Sequence, residues 1–321
     1  MYTKKDKIFF QAAQSGNIFL RKRFFKRRKI RTAKNSSDGK NKNDGEKIKS
    51  EKIIDNGKEL RVRIMNEEKQ QNKRELTELP VRYAIYKLAD LRIKIGMRFA
   101  YSAKMLEPYR VSGDEYDFEV TPREEDIAAI DPEVPASDYY RENLAVLKLV
   151  SDRLLDDYDG FLFHCTSLEY AGNGYAFTAR SGTGKSTHAR LLTQLLGNKI
   201  SYINDDKPFV RYFRDRDEFV IYGNPWNGKH NLGNNVSAPL KGVCILTRGK
   251  ENSIRREKDL FRVLSCLGNQ ILYPDTREQG EKFMDLINLL FEKVPFYLLS
   301  CNISEEAAKT SFEGMIKGGA Q

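Results

Sequence analysis

The 321-residue chain has little cysteine, little histidine and no long apolar run. No stretch approaches the roughly 18 consecutive apolar residues of a membrane-spanning helix, and the N-terminus lacks the hydrophobic block of a signal peptide. The four cysteines form no C-x-x-C pair and lie in apolar runs, which argues against a zinc ribbon and a disulfide scaffold. These absences predict a cytoplasmic protein with free, mostly buried thiols.

The net charge of +10 is unevenly distributed. Residues 1–80 contain 23 Lys and Arg against 11 Asp and Glu, whereas the remaining 241 residues carry 32 against 34. The excess positive charge therefore belongs to the N-terminal end, and the rest of the chain is close to neutral. Only the N-terminal end is a candidate for contact with polyanions.

The N-terminal extension, residues 1–79, divides into two parts. The first, Ile8–Ile30, is apolar and basic and contains Arg21–Lys29, in which aromatic side chains lie among basic ones. The second, Arg31–Lys73, is rich in Lys, Asn, Asp, Gly and Ser. The second part has too few large apolar residues to offset the entropy cost of ordering, so we expect disorder there. The first part is either a solvated tail or a site for nucleic acid or an anionic membrane. Translation from Met65 is a further alternative, because nothing upstream joins the pattern that follows.

Two regions follow the extension. Residues 80–135 mix short strand and helix patterns and predict a small α+β module. Residues 136–321 open with an amphipathic pattern at Tyr139–Tyr158 and continue with alternating strands and helices, which predicts an α/β domain with a mixed sheet. In the module the predicted elements are a strand-like run at Tyr83–Ile95, a helix at Arg98–Tyr109, a strand at Asp117–Val120 and a helix at Arg123–Ile130. In the second region they are strands at Phe161–His164, Tyr175–Thr178, Ile200–Ile203, Phe209–Tyr212, Phe219–Tyr222, Val243–Thr247 and Phe296–Cys301, and helices at Lys185–Leu196, Glu257–Leu267, Gln279–Glu292 and Glu305–Ile316.

A glycine-rich loop at residues 179–186 is the strongest local signal. It reads Ala-Arg-Ser-Gly-Thr-Gly-Lys-Ser, the phosphate-binding P-loop pattern with alanine at its first position. Glycines let consecutive backbone N–H groups point at phosphate oxygens, the lysine reaches the β- and γ-phosphates, and the serine hydroxyl helps to hold Mg²⁺. A predicted strand precedes the loop, and the helix predicted to begin at Lys185 adds its positive end. The residues predicted to bind the nucleotide are Ser181, Gly182, Thr183, Gly184, Lys185, Ser186 and Thr187.

Asp205 and Asp206 follow the loop by about twenty residues, directly after the β-prone run at Ile200–Ile203. One carboxylate at a strand end can bind Mg²⁺, and a second beside it can accept a proton from an attacking hydroxyl. The alternative is an ordinary surface turn.

Several cationic or titratable side chains are candidates for the same site. His164 ends a predicted strand just before the hairpin signalled by residues 172–174, whereas His188 lies one turn into a helix and is expected to pack. Lys229 and His230 end a loop that contains the only tryptophan. Either this loop supplies charge to a transferring phosphoryl group or it is a rigid connector anchored by its tryptophan. Arg248 is a further cation for the phosphates or, alternatively, a solvated hairpin charge.

The order of these motifs resembles the catalytic domain of the HPr kinase/phosphorylase family, whose P-loop fold is shared with ATP-dependent phosphoenolpyruvate carboxykinase. The chain looks most like stand-alone HPr-kinase-like proteins with an S-G-T-G-K-S-T-H loop, an N-D-D-K-P segment and a G-x-P-W-x-G-K-H segment. These motifs stand here at Ser181–His188, Asn204–Pro208 and Gly223–His230. The resemblance covers residues 80–317, and its specific motifs lie between residues 164 and 230.

The resemblance implies a role for each matching residue. Asp206 would be the base that takes the proton of the acceptor hydroxyl, and His164 would support it at the transfer centre. Lys185 and Ser186 would bind phosphate and Mg²⁺, with Asp205 near the metal. The family also implies ATP as the donor and often forms oligomers, so a homo-oligomer is expected.

The chain departs from the family at one segment. It has no counterpart of the Glu-x-Arg-Gly segment that supplies a metal ligand and supports phosphorolysis, so neither the reverse reaction nor recognition of HPr follows. We therefore predict an ATP-dependent, Mg²⁺-requiring kinase that transfers the γ-phosphoryl group to a hydroxyl of a protein, peptide or small molecule. Two alternatives are a carboxykinase-like enzyme acting on a small acid, which would need a second cluster of Arg and metal ligands, and a non-catalytic ATP-binding regulator.

Overall fold

The structure is a computed structural model that describes residues 80–130, 137–267 and 274–318. The N-terminal extension, residues 1–79, lies outside the described residues, so its disorder, its contact with polyanions and the start at Met65 stay predictions. Within the described ranges, no helix combines the length and the apolar character needed to cross a bilayer.

A three-stranded sheet opens the described chain. Strands β1 (Arg82–Leu88) and β2 (Leu91–Met97) are antiparallel, and β3 (Phe118–Val120) runs parallel to β2. The run predicted as one strand from Tyr83 to Ile95 is therefore a hairpin. Its turn residues Ala89 and Asp90 have φ angles of 52° and 60°, the left-handed pair of a tight hairpin turn, which usually contains glycine. Without glycine, the sequence gives no signal for this turn.

The predicted helices of this region are confirmed with small shifts in their ends. Helix α1 covers Ala100–Leu106 and continues as a 3₁₀ turn at Glu107–Tyr109, and α2 covers Glu124–Ala128. In α2 the Asp126 carboxylate accepts a hydrogen bond from the backbone N–H of Arg123, which fixes where this short helix begins.

Helix α3 (Asp138–Asp157) is amphipathic, as predicted, and its apolar face lies in a core shared with both sheets. The residues it contributes include Leu144, Leu147, Val150 and Leu154, each 5% exposed or less. Around them lie Ile93 and Ile95 from the small sheet and Leu162, Phe209 and Val220 from the large sheet. The hydrophobic core of residues 80–130 is thus completed by side chains from beyond the predicted boundary near residue 135, and that boundary stays a prediction.

The large sheet has mixed strand directions, which confirms an α/β fold with a mixed sheet. Its strands are β4 (Gly160–Leu162), β5 (Thr166–Tyr170), β6 (Asn173–Thr178), β7 (Ile200–Asn204), β8 (Phe209–Phe213), β9 (Glu218–Tyr222), β10 (Ser237–Arg248), β11 (Ser253–Glu257) and β12 (Phe296–Cys301). They are ordered β4-β8-β9-β10-β6-β5-β7, with β12 also beside β10 and β11 beside β12. Strand β10 is antiparallel to β9 at residues 237–239, parallel to β6 at residues 240–245 and parallel to β12 at residues 243–248.

Helices cover this sheet, and most of their predicted ends hold. Helix α4 spans Lys185–Leu196 as predicted, and Arg277–Lys293 forms α6. Helix α7 (Glu305–Ser311) begins at the predicted N-cap, where the Ser304 hydroxyl accepts a hydrogen bond from the Ala307 N–H, and it continues as a π-helical segment at Phe312–Lys317. The four cysteines are free, two of them buried and two partly buried, which confirms the prediction of unpaired thiols.

Two predictions in this region are wrong. The hairpin partner of β6 is β5, not Phe161–His164, because the start of that run pairs with β8 instead. Polar Thr166 and Ser167 conceal β5 in the sequence. Both are buried, and their hydroxyls donate to the backbone carbonyls of the last residue of β7 and of the residue after it. Similarly, Glu257 ends strand β11, and the helix predicted from that residue, α5, begins only at Leu260 and runs to Leu267.

Leu147→Ala should destabilise the whole described fold, because Leu147 lies at the centre of the core that the two sheets share. We expect a loss of about 2–5 kcal/mol in the free energy of unfolding, the usual range for a buried leucine that leaves a cavity. Urea unfolding followed by circular dichroism measures it. Leu232→Ala, at a position 41% exposed, is the matched control, and equal losses for both variants would contradict the shared core.

Candidate functional site

The glycine-rich loop, residues 179–186, joins the end of β6 to the start of α4. Gly182 and Gly184 have φ angles of 82° and 127°, a region that favours glycine over residues with a side chain. A Cβ atom built on either residue would meet nothing within 4 Å. The loop therefore needs glycine for its backbone conformation and leaves open space above both residues.

No side chain of helix α4 itself offsets the partial positive charge at the start of this helix. No side chain caps it, and its first turn contains no acidic residue, whereas Thr276 and Ser304 cap α6 and α7. Lys185 is buried at 8% exposure and donates from Nζ to the Ala179 carbonyl at 3.2 Å. Backbone N–H groups at an uncapped helix start, with a lysine beside them, form an arrangement that binds anions. Ser186 lies exposed next to Lys185.

His164, Asp206 and Lys207 form a connected cluster beside this loop. The His164 Nε2 atom lies 3.1 Å from Asp206 Oδ1, and the Lys207 ammonium bonds to Oδ2 of the same carboxylate. Burial lowers the pKa of His164 below its usual value against the opposing effect of Asp206, and the charge of Lys185 lowers that pKa further. The imidazole is therefore neutral near pH 7.

Asp206 is ionised despite being mostly buried. Burial by itself raises the pKa of this carboxyl, but the hydrogen bond from His164 and the charge of Lys207 outweigh burial and hold the pKa well below its usual range. The ionised carboxylate of Asp206 also lies near Lys185. The charges of both residues act on the pKa of buried Cys165, in opposite directions.

Asp205 faces a different neighbour from Asp206. Its Oδ1 atom accepts a hydrogen bond of 2.6 Å from the Gly228 N–H, and burial raises its pKa while that hydrogen bond opposes the rise. The structure therefore connects one acid to the histidine–lysine cluster and the other to the loop that follows β9.

The loop at residues 223–230 is both an anchored connector and a neighbour of the acids. Trp226 is buried, donates from Nε1 to the Asn143 carbonyl at 3.0 Å and meets Phe209 edge to face. Lys229 and His230 at its end are exposed. The anchored tryptophan fits the interpretation as a rigid connector, whereas charge supplied by Lys229 or His230 to a phosphoryl group stays a prediction.

Arg248 reaches the glycine-rich loop from the end of β10. Its NH2 group donates to the Gly182 carbonyl at 2.5 Å, and β10 and β6 are parallel neighbours, so both strands end at the same edge of the sheet. The position of Arg248 thus agrees with the cationic alternative more than with a solvated hairpin charge.

Ser186 and Asp205 are the residues that the sequence predicts to bind Mg²⁺. The described residues contain no group of three or more His, Cys, Asp or Glu side chains that could hold a metal alone. Mg²⁺ usually takes one or two carboxylates together with substrate phosphates and water, so a hydroxyl and a carboxylate fit it without such a group. The Ser186 hydroxyl and the Asp205 carboxylate, which also accepts backbone hydrogen bonds, are of this type.

His188 packs inside the fold, as expected from its helical position. It is 3% exposed, its Nε2 atom lies 2.8 Å from the Ser311 hydroxyl, and its ring contacts Phe177. Burial lowers its pKa to about 4. This histidine joins α4 to α7 and takes no part in the cluster around Asp206.

Sequence reasoning missed three residues of the site. Lys207 pairs with Asp206, and Asn204 and Asn224 are fully buried side chains that bond the segment carrying the acids to the loop after β9. Lysine and asparagine are common in turns, so residue type alone does not indicate a role at the site. The only signal in the sequence is that these residues lie within the motifs at Asn204–Pro208 and Gly223–His230.

Comparisons with known proteins add little to this geometry. No protein-family model and no curated protein matches the chain. Among solved structures, the Hpr(Ser) kinase/phosphatase from Coxiella burnetii is similar, with a TM-score of 0.29 and 11% sequence identity over 50% of this chain and 94% of that chain.

The stability of the fold should depend on the protonation of His188. Its pKa of about 4 in the fold lies below the ordinary 6.5, so the unfolded chain binds the proton more tightly. The neutral ring contributes to the free energy of unfolding in full above pH 6.5. As the pH falls toward 4 this contribution is lost, which amounts to about 3 kcal/mol in total. His188→Gln should flatten the pH dependence of the unfolding free energy in this window.

His230→Gln is the matched control, because His230 is exposed. Unfolding by urea at several pH values between 4 and 7 gives the slopes. The same slope for wild type and His188→Gln would contradict the buried neutral ring.

Proposed function

We propose that this chain is an ATP-dependent, Mg²⁺-requiring kinase that transfers the γ-phosphoryl group to a hydroxyl, such as a serine of a protein or peptide. One observation carries the proposal. The glycine-rich loop at residues 179–186 and the uncapped start of helix α4 form an open site for an anion, which we call the anion cradle. Beside it lies the Asp206 carboxylate, which is kept ionised. Phosphoryl transfer needs these two parts close together, because it depends on positioning and charge stabilisation.

The loop residues Ser181 to Thr187 would hold the phosphates of ATP through backbone N–H groups. Lys185 would exchange its bond to the Ala179 carbonyl for the β- and γ-phosphates, and Arg248 is near enough to the loop to add a second positive charge. Lys229, at the exposed end of its loop, would neutralise charge on the transferring group. Ser186 and Asp205 would hold Mg²⁺, whose charge reduces the repulsion between the phosphates and an incoming oxygen.

Asp206 would accept the hydrogen bond of the acceptor hydroxyl and orient its oxygen. Its depressed pKa makes it a weak base, which suits a loose transition state in which the proton leaves the hydroxyl late. Neutral His164, bonded to one carboxylate oxygen, would hold Asp206 in place.

The bond between Lys207 and Asp206 also favours a second candidate, a non-catalytic ATP-binding regulator. In that protein the carboxylate would be a structural ion pair rather than a base. The carboxykinase-like alternative, cytoplasmic location and oligomer formation stay predictions.

Lys185→Ala should lose nucleotide binding and turnover. Because the ammonium supplies much of the positive charge in the cradle, we expect turnover to fall by about 100-fold or more while the fold survives. Transfer of label from γ-labelled ATP to an acceptor in a lysate of the native cell, with Mg²⁺, measures it. Lys241→Ala, which removes only a surface pair with Glu218, is the control. Wild-type turnover in Lys185→Ala would contradict the assignment.

Asp206→Asn should separate the kinase from the regulator. The amide keeps the size of the carboxylate but cannot take a proton, so transfer should fall by about 100-fold or more, a typical loss for an acid–base group. Binding of Mg²⁺·ATP, followed by calorimetry, should change much less. Asp215→Asn at an exposed position is the control. Transfer that persists at the wild-type rate would favour a role for Asp206 in structure alone.

A further inference from the structure

Two asparagine side chains lie completely buried between the acids and the loop that follows β9. Asn204 is the last residue of β7, and Asn224 follows β9 by two residues; both are 0% exposed. A buried amide is costly unless its donor and acceptor are both bonded, so the partners of these two side chains reveal what each one holds.

Asn204 shapes the turn that carries the two acids. Its Oδ1 atom accepts hydrogen bonds from the backbone N–H groups of Asp206 and Lys207, at 2.8 and 2.7 Å. A side chain that accepts from amides two and three residues ahead closes a tight turn. The directions in which Asp205 and Asp206 leave the backbone therefore depend on this one oxygen.

The nitrogen of the same side chain binds the neighbouring loop. Asn204 Nδ2 donates to both the backbone carbonyl and Oδ1 of Asn224, at 3.2 and 3.1 Å. Asn224 Oδ1 also accepts from the Trp226 N–H at 3.0 Å, and Asn224 Nδ2 donates back to the Lys207 carbonyl at 2.6 Å. The pair thus bonds both ends of the acid turn to the loop at residues 223–230.

Only an amide meets these demands at either position. Each side chain must accept from backbone N–H groups with its oxygen and donate to a carbonyl with its nitrogen. Aspartate would keep the acceptor and set a carboxylate oxygen against a carbonyl, whereas alanine would leave buried backbone groups without partners.

We propose that Asn204 and Asn224 are positioning residues, a buried amide pair that holds the acid turn and the loop at residues 223–230 as one rigid unit. The inference rests on the proposed kinase function and deepens it. Asp206 follows Asn204 by two residues and Lys229 follows Asn224 by five, so the bonds between the two asparagines link the segment of the base to the segment of the cation. Neither asparagine needs to touch ATP or the acceptor.

Trp226 gives a readout that does not require activity. It is the only tryptophan in the chain, it is 5% exposed, and its backbone N–H is held by Asn224. Its emission wavelength and its quenching by acrylamide therefore report whether this loop is held.

Asn224→Asp in the full-length chain is the principal test. The variant keeps both acceptor functions and replaces the donor to the Lys207 carbonyl with oxygen, so the acid turn should shift. We expect kcat to fall by about 10- to 100-fold, the cost of a displacement of about 1 Å, with KM for Mg²⁺·ATP changed by less than about threefold. Trp226 emission should move to longer wavelength, and acrylamide quenching should increase. As the pH is lowered, protonation restores a donor, so kcat should recover relative to wild type.

Asn234→Asp is the matched control. Asn234 is an exposed residue that also donates from Nδ2 to a backbone carbonyl, that of Tyr202, but it does not bond to the acid turn. This variant should keep wild-type kcat and fluorescence. Asn224→Ala, which introduces no charge, replaces Asn224→Asp if the latter does not fold, and it should lower kcat without the recovery at low pH.

The outcomes separate the inference from the proposed function. Wild-type kcat and wild-type quenching in Asn224→Asp or Asn224→Ala would overturn the positioning role, although the kinase would stand. A wild-type chain that transfers no phosphoryl group would contradict the kinase, and quenching would then decide the inference alone: increased quenching in the variant supports it and unchanged quenching overturns it. A rise in KM with unchanged kcat would also overturn it, because that result places the pair in nucleotide binding.

Discussion

The parallel pairing of β6 with β10 brings the chemistry of this chain to one edge of the sheet. Strand β6 ends in the glycine-rich loop, and β10 ends at Arg248, which donates to the Gly182 carbonyl. The beginning of β10 pairs with β9 in the opposite direction, so the same strand also connects the half of the sheet from which the Trp226 loop leaves. Strand β10 therefore connects the edge that carries the glycine-rich loop to the half of the sheet that carries the Trp226 loop.

Burial determines which side chains of the site are charged. A carboxylate in a partly buried place is ionised only if positive charge or hydrogen-bond donors compensate for lost water, and Lys207 and His164 supply both to Asp206. His164 stays neutral because the same burial disfavours a second positive charge next to Lys185. The site thus combines a buried lysine at the glycine-rich loop with an ionised carboxylate at Asp206.

The buried polar bonds explain how β5 can have few apolar residues and still form an interior strand of the sheet. Thr166, Ser167 and Asn204 occupy positions that apolar side chains normally fill, and each is bonded to backbone groups of a neighbouring segment. These bonds tie the turn with the acids to the sheet. They also explain why the hydrophobic pattern did not reveal β5.

Local patterns in the sequence were enough to determine the glycine-rich loop, helix α4, the N-cap at Ser304, the mixed α/β character and the closeness of Asp205 and Asp206 along the chain. Each depends on neighbouring residues only, through backbone conformation, helix capping or periodicity. The tertiary structure alone decided that β5 pairs with β6, that α3 completes the core of the small sheet, and that Asp206 meets His164 and Lys207 while Asp205 turns to Gly228. Those outcomes depend on strand pairing and on hydrogen bonds between distant segments, which leave no periodic trace in the sequence.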